Sequence, residues 1–128
     1  MTNLLPKQGE IWRVNFDPTL GSEVQKTRPA LVMSADDIGI LPLRIVVPIT
    51  AWSEEYSNRP WMIRLEPNPN NQLTKPSAAD VFQIKSISTQ RFLNKLGNIT
   101  YQEFGQLLRA LSLCVEPNDQ YTPPTAND

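Results

Sequence analysis

The chain has no histidine and a single cysteine, Cys114. One cysteine rules out an intramolecular disulfide and a cysteine metal cluster by count. Without histidine, most zinc sites, the serine and cysteine catalytic triads and a histidine pair for acid–base RNA cleavage are ruled out as well. There is no glycine-rich phosphate loop, no metal-ligand spacing and no nucleophile elbow. Neither sign of charge dominates: twelve Lys and Arg face thirteen Asp and Glu, so a site for a polyanion must be a local patch. No apolar run opens the chain as a signal sequence, and none approaches the roughly 20 residues of a membrane span. The expectation is a soluble, cytoplasmic protein without a metal or other cofactor. Any catalysis must use arginine, lysine, hydroxyl, carboxylate or backbone groups.

What is present fits one domain with one core: 128 residues, 40% hydrophobic. Residues 1–8 read as frayed, residues 1–116 as the domain, and the Pro-, Asn- and Asp-rich stretch 117–128 as a disordered tail. Glu10 to Phe16 alternates, with Trp12, Val14 and Phe16 on one face and Arg13 and Asn15 on the other, which predicts a half-buried strand. Ala30 to Met33 predicts a buried strand, and Ser34 with Asp36 and Asp37 a single helical turn. Arg44 to Thr50 is β-branched and strand-like, with Pro48 marking an edge or bulge. Residues 51–60 read as polar loop, Trp61 to Leu65 as a fourth strand, 67–71 as a turn cluster and Ala78 to Ile84 as a fifth strand. Ser88 can cap a short helix through Arg91 to Leu93. Thr100 and Glu103 form a capping box, behind which Tyr101, Phe104, Leu107, Leu108, Leu111 and Val115 fall at helical spacing up to Pro117. The pattern predicts a mainly β fold: a small, strongly bent, partly open antiparallel barrel with short helices and a C-terminal amphipathic helix.

Between the first two strands lies a loop, Asp17 to Pro29, long for so small a domain. Pro29 pushes Arg28 to an extended conformation and so fixes the direction of its guanidinium, a planar fork of donors suited to phosphate and charged at any physiological pH. Taken singly, Arg28 is an ordinary surface arginine paired with a carboxylate, Thr50 a strand-end threonine and Glu23 a solvated loop acid.

The combination is more specific. Gly9-Glu10-Ile11-Trp12, Asp17-Pro18-Thr19-Leu20-Gly21-Ser22-Glu23, Lys26-Thr27-Arg28-Pro29-Ala30-Leu31-Val32 and Val47-Pro48-Ile49-Thr50 resemble the MazF/PemK (Kid) family of toxin endoribonucleases. A looser match continues through Gln83-Ile84-Lys85-Ser86-Ile87, Arg91, Leu96-Gly97 and the last helix, covering most of residues 9–115. The resemblance implies an SH3-like barrel of the CcdB/PemK kind, a homodimer, and metal-independent cleavage of single-stranded RNA, usually mRNA, leaving 2′,3′-cyclic phosphate and 5′-hydroxyl ends. It implies Arg28 and Thr50 as a catalytic pair, ties Glu23 to activity, and places Gln83 beside the substrate channel. Thr19, Gly21, Ser22, Lys26 and Gln83 are the candidate RNA contacts. The family usually carries an acid just before that glutamine, where this chain has Phe82.

Attack by a ribose 2′-hydroxyl needs a proton acceptor, stabilisation of an anionic phosphorane and a proton for the leaving oxygen. Without histidine or metal the main lever is electrostatic preorganisation. Arg28 suits the phosphorane and the leaving oxygen, Thr50 can donate to a phosphate oxygen, and Glu23 is the candidate acceptor. A toxin of this kind is expected beside a small antitoxin (MazE/PemI-like) whose acidic tail competes with RNA for Arg28 and nearby Lys26, Arg44, Arg59 and Arg64. Trp52, Tyr56 and Trp61 are candidates for stacking on bases. Two other readings remain: a non-catalytic toxin that docks on DNA gyrase, which would need neither Arg28 nor Thr50, and a family member that has lost its activity.

Overall fold

The structure is a computed structural model that describes residues 5–18, 21–22, 26–38, 41–120 and 124–125. Alternating and β-branched segments form β1 (Glu10–Asn15), β2 (Thr27–Val32), β3 (Leu43–Ala51), β4 (Met62–Leu65), β5 (Ser77–Asp80), β6 (Lys85–Ser88) and β7 (Phe92–Asn98), followed by α1 (Tyr101–Val115). They make one antiparallel sheet in the order β4-β5-β3-β2-β1-β7, with β6 also paired to β3. The mainly β, bent antiparallel architecture with a C-terminal helix matches the expectation from sequence.

Strand β3 is the spine. β2 lies along one edge, while β6 and β5 share the other, β6 against Leu43–Val46 and β5 against Ile49–Ala51. The stretch expected as one strand, Ala78 to Ile84, is therefore two strands broken by a 3-10 turn, Val81–Gln83. The break lies across from Val47–Pro48, where the proline brings no N–H to a ladder. Pro48 thus marks a bend inside the sheet and not an outer edge.

Both faces of the sheet are covered. Alternation in β1 sends Ile11 to one face, where it joins Leu31, Val47, Ile49 and the α1 residues Leu107 and Ala110. Trp12, Val14 and Phe16 go to the other, with Ala30, Val32, Val46 and Ile87. Central β2 supplies both cores, which is why it reads as an unbroken apolar run. Arg13 and Asn15 are exposed as expected. In α1 both halves of the capping box form: Glu103 N–H donates to Thr100 Oγ1 at 3.0 Å and Thr100 N–H to Glu103 Oε1 at 2.8 Å. The packed side of the helix runs through Phe104, Leu107, Ala110, Leu111 and Cys114, whereas Tyr101, Leu108 and Val115 are exposed.

Several segments are more ordered than their composition implies. Pro6 is buried and its carbonyl accepts from Arg44 Nε, while Gln8 bonds Asp36 and Met33, so residues 5–8 are tied down and not frayed. Ser34 Oγ accepts from the N–H of Ile45, and the turn after it is a 3-10 turn, Asp36–Ile38. Within 51–60 a 3-10 turn, Glu54–Asn58, is held by edge-on packing of Trp52 on Tyr56 and by Arg59 over the Tyr56 ring. Ser88 does cap, accepting from Gln90 N–H at 3.1 Å, but only for the 3-10 turn Thr89–Arg91. The expected helix through Leu93 is replaced by β7, whose two register shifts against β1 blur any alternation.

The turn cluster 67–71 hides a buried hub. Asn71 is fully buried, its Oδ1 accepts from the N–H groups of Asn68 and Leu73, and its Nδ2 donates to the Glu66 carbonyl at 2.8 Å. The loop sits directly on β7: Asn98 N–H donates to Asn70 O, and a Cβ on Gly97 would come within 2.3 Å of that same oxygen. Only glycine permits this approach.

Candidate active site

The neck of the long loop is closed by side chain to backbone bonds. Lys26 N–H donates to Asp17 Oδ1 at 2.8 Å, Asp17 N–H to Asn15 Oδ1 at 3.0 Å, and Phe16 N–H to the Lys26 carbonyl at 3.0 Å. Arg91 Nη1 donates to the carbonyls of Asn15 and Asp17, giving that distant arginine a clamping role. Gly21 has a φ of 59° with open space about its Cα, and Lys26 takes a φ of 65°. Thr19 and Glu23, the remaining loop candidates, lie outside the described residues.

Arg28 leaves this neck on β2, opposite Val14. The β2–β3 pairing runs from Val32↔Val46 to Ala30↔Pro48. One step further Pro29 would face Ile49 with no N–H to give, so the ladder loses a rung. Two steps further the same register brings Arg28 opposite Thr50. Both half-buried side chains line one cavity of about 190 Å³, together with Thr27, Thr74, Lys75 and Ser77. Two cations and several hydroxyls around a small hollow suit an oxyanion such as a phosphodiester. Ser77 Oγ already donates to the Lys75 carbonyl, so it can only accept from a ligand.

Lys75 is the residue missed by sequence reasoning. The available signal was Lys75-Pro76, a cation stiffened by a following proline just as in Arg28-Pro29.

The remaining candidates divide. Ser22 and Gln83 line a second cavity, about 450 Å³, with Arg59, Trp61, Asp80 and Phe82. Gly21 and Lys26 are exposed by the loop neck. Phe82 stands where an acid was expected, but Gln83 Nε2 donates to the Asp80 carboxylate at 3.1 Å, so a carboxylate is present two residues earlier. Trp61 packs edge-on to Phe82 at 6.0 Å. Trp52 sits under Arg64, which is also bridged to Glu66 and, at 3.8 Å, to Glu54. Arg44 does not belong to a basic surface: it is buried and donates to the carbonyls of Pro6, Leu41 and Leu43. Among the described residues no group of three or more Cys, Asp or Glu side chains is placed to hold a metal ion, and no helix is long and apolar enough to cross a membrane.

The chain is similar to known proteins in sequence and in fold. The endoribonuclease MazF9 of Mycobacterium tuberculosis is 35% identical over 113 residues, covering 84% of this chain and 93% of that protein. The crystal structure of MazF from Deinococcus radiodurans superposes with a TM-score of 0.74 at 22% identity, over 87% of this chain and 96% of that one. An endoribonuclease in complex with its cognate antitoxin, from a mycobacterial species, superposes with a TM-score of 0.67 at 16% identity, over 86% and 94% of the two chains. The model of the PemK-like, MazF-like toxins of type II toxin–antitoxin systems matches residues 7–115. With that match spanning most of the chain, the protein belongs to the PemK-like, MazF-like toxin family.

Proposed function

We infer that the protein is an endoribonuclease toxin that cleaves single-stranded RNA, most readily mRNA, at short sequence motifs without a metal. The carrying observation is that Arg28 and Thr50, 22 residues apart in sequence, line one cavity where β2 and β3 stop pairing. The similarity to an endoribonuclease over most of the chain supports the same reading.

In this reading the scissile phosphate enters the cavity and the ribose 2′-hydroxyl attacks it. Arg28 spreads its positive charge over the phosphorane and protonates the leaving 5′-oxygen, Thr50 donates its hydroxyl to a phosphate oxygen, and Lys75 adds a second positive charge. A guanidinium has no lone pair ready to take a proton, so Arg28 is not the base. Glu23 is the proposed acceptor of the 2′-hydroxyl proton. The products carry 2′,3′-cyclic phosphate and 5′-hydroxyl ends. The toxin works as a cytoplasmic homodimer, and its antitoxin covers the site with an acidic segment that competes with RNA for the cations. The family relationship and the antitoxin complex of the mycobacterial neighbour support those partners.

The test is incubation of the purified protein with a long RNA in excess EDTA, with the new ends mapped. Cleavage at recurring short motifs, with 5′-hydroxyl ends, is expected. An intact RNA together with inhibition of DNA gyrase would overturn the reading in favour of a docking toxin.

A further inference from the structure

The second cavity contains a group that neither the fold nor the proposed cleavage chemistry uses. Asp80 ends β5, is only 8% exposed, and lines the cavity. One carboxylate oxygen accepts from Gln83 Nε2, while Oδ1 is buried with no hydrogen-bond partner among the described residues. A carboxylate withdrawn from water this way is costly unless donors reach it. Such an orphan asks for a ligand that brings N–H groups.

The walls indicate the rest of that ligand. Trp61 and Phe82 stand edge-on at 6.0 Å, and Phe82 is 66% exposed, an aromatic face left uncovered. Exposed aromatic faces beside a polar edge are how proteins hold unstacked RNA bases. Ser22 brings the long loop to the rim. On β5, Asp80 lies two residues from Ala78, the partner of Thr50, and on the same face. Strand geometry then separates the Asp80 and Thr50 backbones by roughly 8 Å. One extended RNA strand can reach both.

We propose that this cavity reads a base beside the cleaved phosphate and that the base is guanine, with Asp80 as the specificity-determining residue. Guanine alone presents two adjacent donors, N1–H and the N2 amino group, to match the two oxygens of one carboxylate. Adenine and cytosine offer one amino donor beside a ring acceptor that opposes a carboxylate, and uracil flanks its single N–H with two carbonyls. An aspartate carboxylate turns easily about its last torsion, so the orphan oxygen can swing to meet the base. The proposal rests on the RNA-cleaving reading for its biological meaning, but not for its test.

The test titrates the full chain with GMP, IMP, AMP, CMP and UMP, following amide chemical shifts by NMR. GMP should bind roughly tenfold or more tightly than UMP, the discrimination of one good bidentate base contact. IMP, which lacks the amino group, should fall between them. Asp80→Asn, the same shape with an unchanged melting profile as control, should erase the preference. Equal binding of GMP and UMP, or a preference that survives Asp80→Asn, overturns the proposal. On a long RNA, wild-type cuts should carry guanine at one fixed position next to the cleavage site, and Asp80→Asn should admit other bases there. An unchanged cleavage map in the variant also overturns it. A wild type that cuts no RNA instead refutes the nuclease reading, and the nucleotide titration then decides the pocket by itself.

Discussion

Replacing Asn71 by alanine is the sharpest probe of how the site is held. The side chain sits at zero exposure and makes three hydrogen bonds, to Asn68 N–H, Leu73 N–H and the Glu66 carbonyl. At a net value near 1 kcal/mol each, their loss removes about 3 kcal/mol, and the backbone groups left without partners resist any compensation. A chain of this size loses roughly 4 °C of melting temperature per kcal/mol, so Asn71→Ala should melt about 12 °C below the wild type by calorimetry. The consequence reaches the candidate site, because Leu73, Thr74 and Lys75, immediately after the hub, form one wall of the Arg28–Thr50 cavity. Asn68 serves as the control. Its Oδ1 accepts only two such bonds, one from the exposed Asn70 N–H and one from Asn71 N–H, so Asn68→Ala should cost no more than about 1–2 kcal/mol. Equal shifts for the two variants, or a shift under about 3 °C for Asn71→Ala, would refute the buried-hub reasoning.

Arg28→Ala should lower RNA cleavage by roughly two to three decades, the scale of losing one preorganised donor, with the melting temperature little changed. Arg28→Lys should rescue poorly, because a point charge does not reproduce the fork; full activity of either variant in a gel assay would remove the mechanism. Gly97→Ala forces a methyl against the Asn70 carbonyl at 2.3 Å and should destabilise by roughly 3 kcal/mol or prevent folding, as a denaturant titration would show. Burial pushes the Glu10 carboxyl up, but donors from Trp12 and Lys7 together with Lys95 outweigh it, and its pKa ends below the usual 4.5. A depressed acid stabilises the fold above its unfolded value and loses that contribution as pH falls through the folded value. Glu10→Gln should therefore narrow the stability difference between pH 7 and acid below 4.5, and equal acid sensitivity in both proteins would contradict the assignment.

Legibility followed the physics of each segment. The alternation of Glu10 to Phe16 and the capping box at Thr100 are local signals, so β1 and the start of α1 are readable without a structure. The proline after Arg28 likewise makes that residue stand out. β7 is not readable, because its bulged pairing with β1 leaves a strand whose burial follows no period of two. The 3-10 turn at Val81–Gln83 is equally hidden, since its cause lies on another strand, at Pro48. Asn71 and Asp80 look like turn and strand polar residues in sequence; only the fold shows one satisfied three times over and the other with an oxygen left unpaired. The nearness of Arg28 to Thr50 depends on the β2–β3 register, a long-range property that residue spacing cannot carry.

Pro29, next to Arg28 at the end of the β2–β3 pairing, acts as a zipper stop. A sheet whose strands could still bond would be able to close over a small hollow whenever it was empty. Here the missing N–H of Pro29 is a covalent fact, so the opening persists in the absence of any ligand. The hollow behaves as a fixed jaw: charge and hydroxyls are set at their spacing before an anion arrives, and no closing motion of the strands is needed when it does. Under the proposed function, control would then come from what occupies the jaw, RNA or antitoxin, and not from whether the jaw can form.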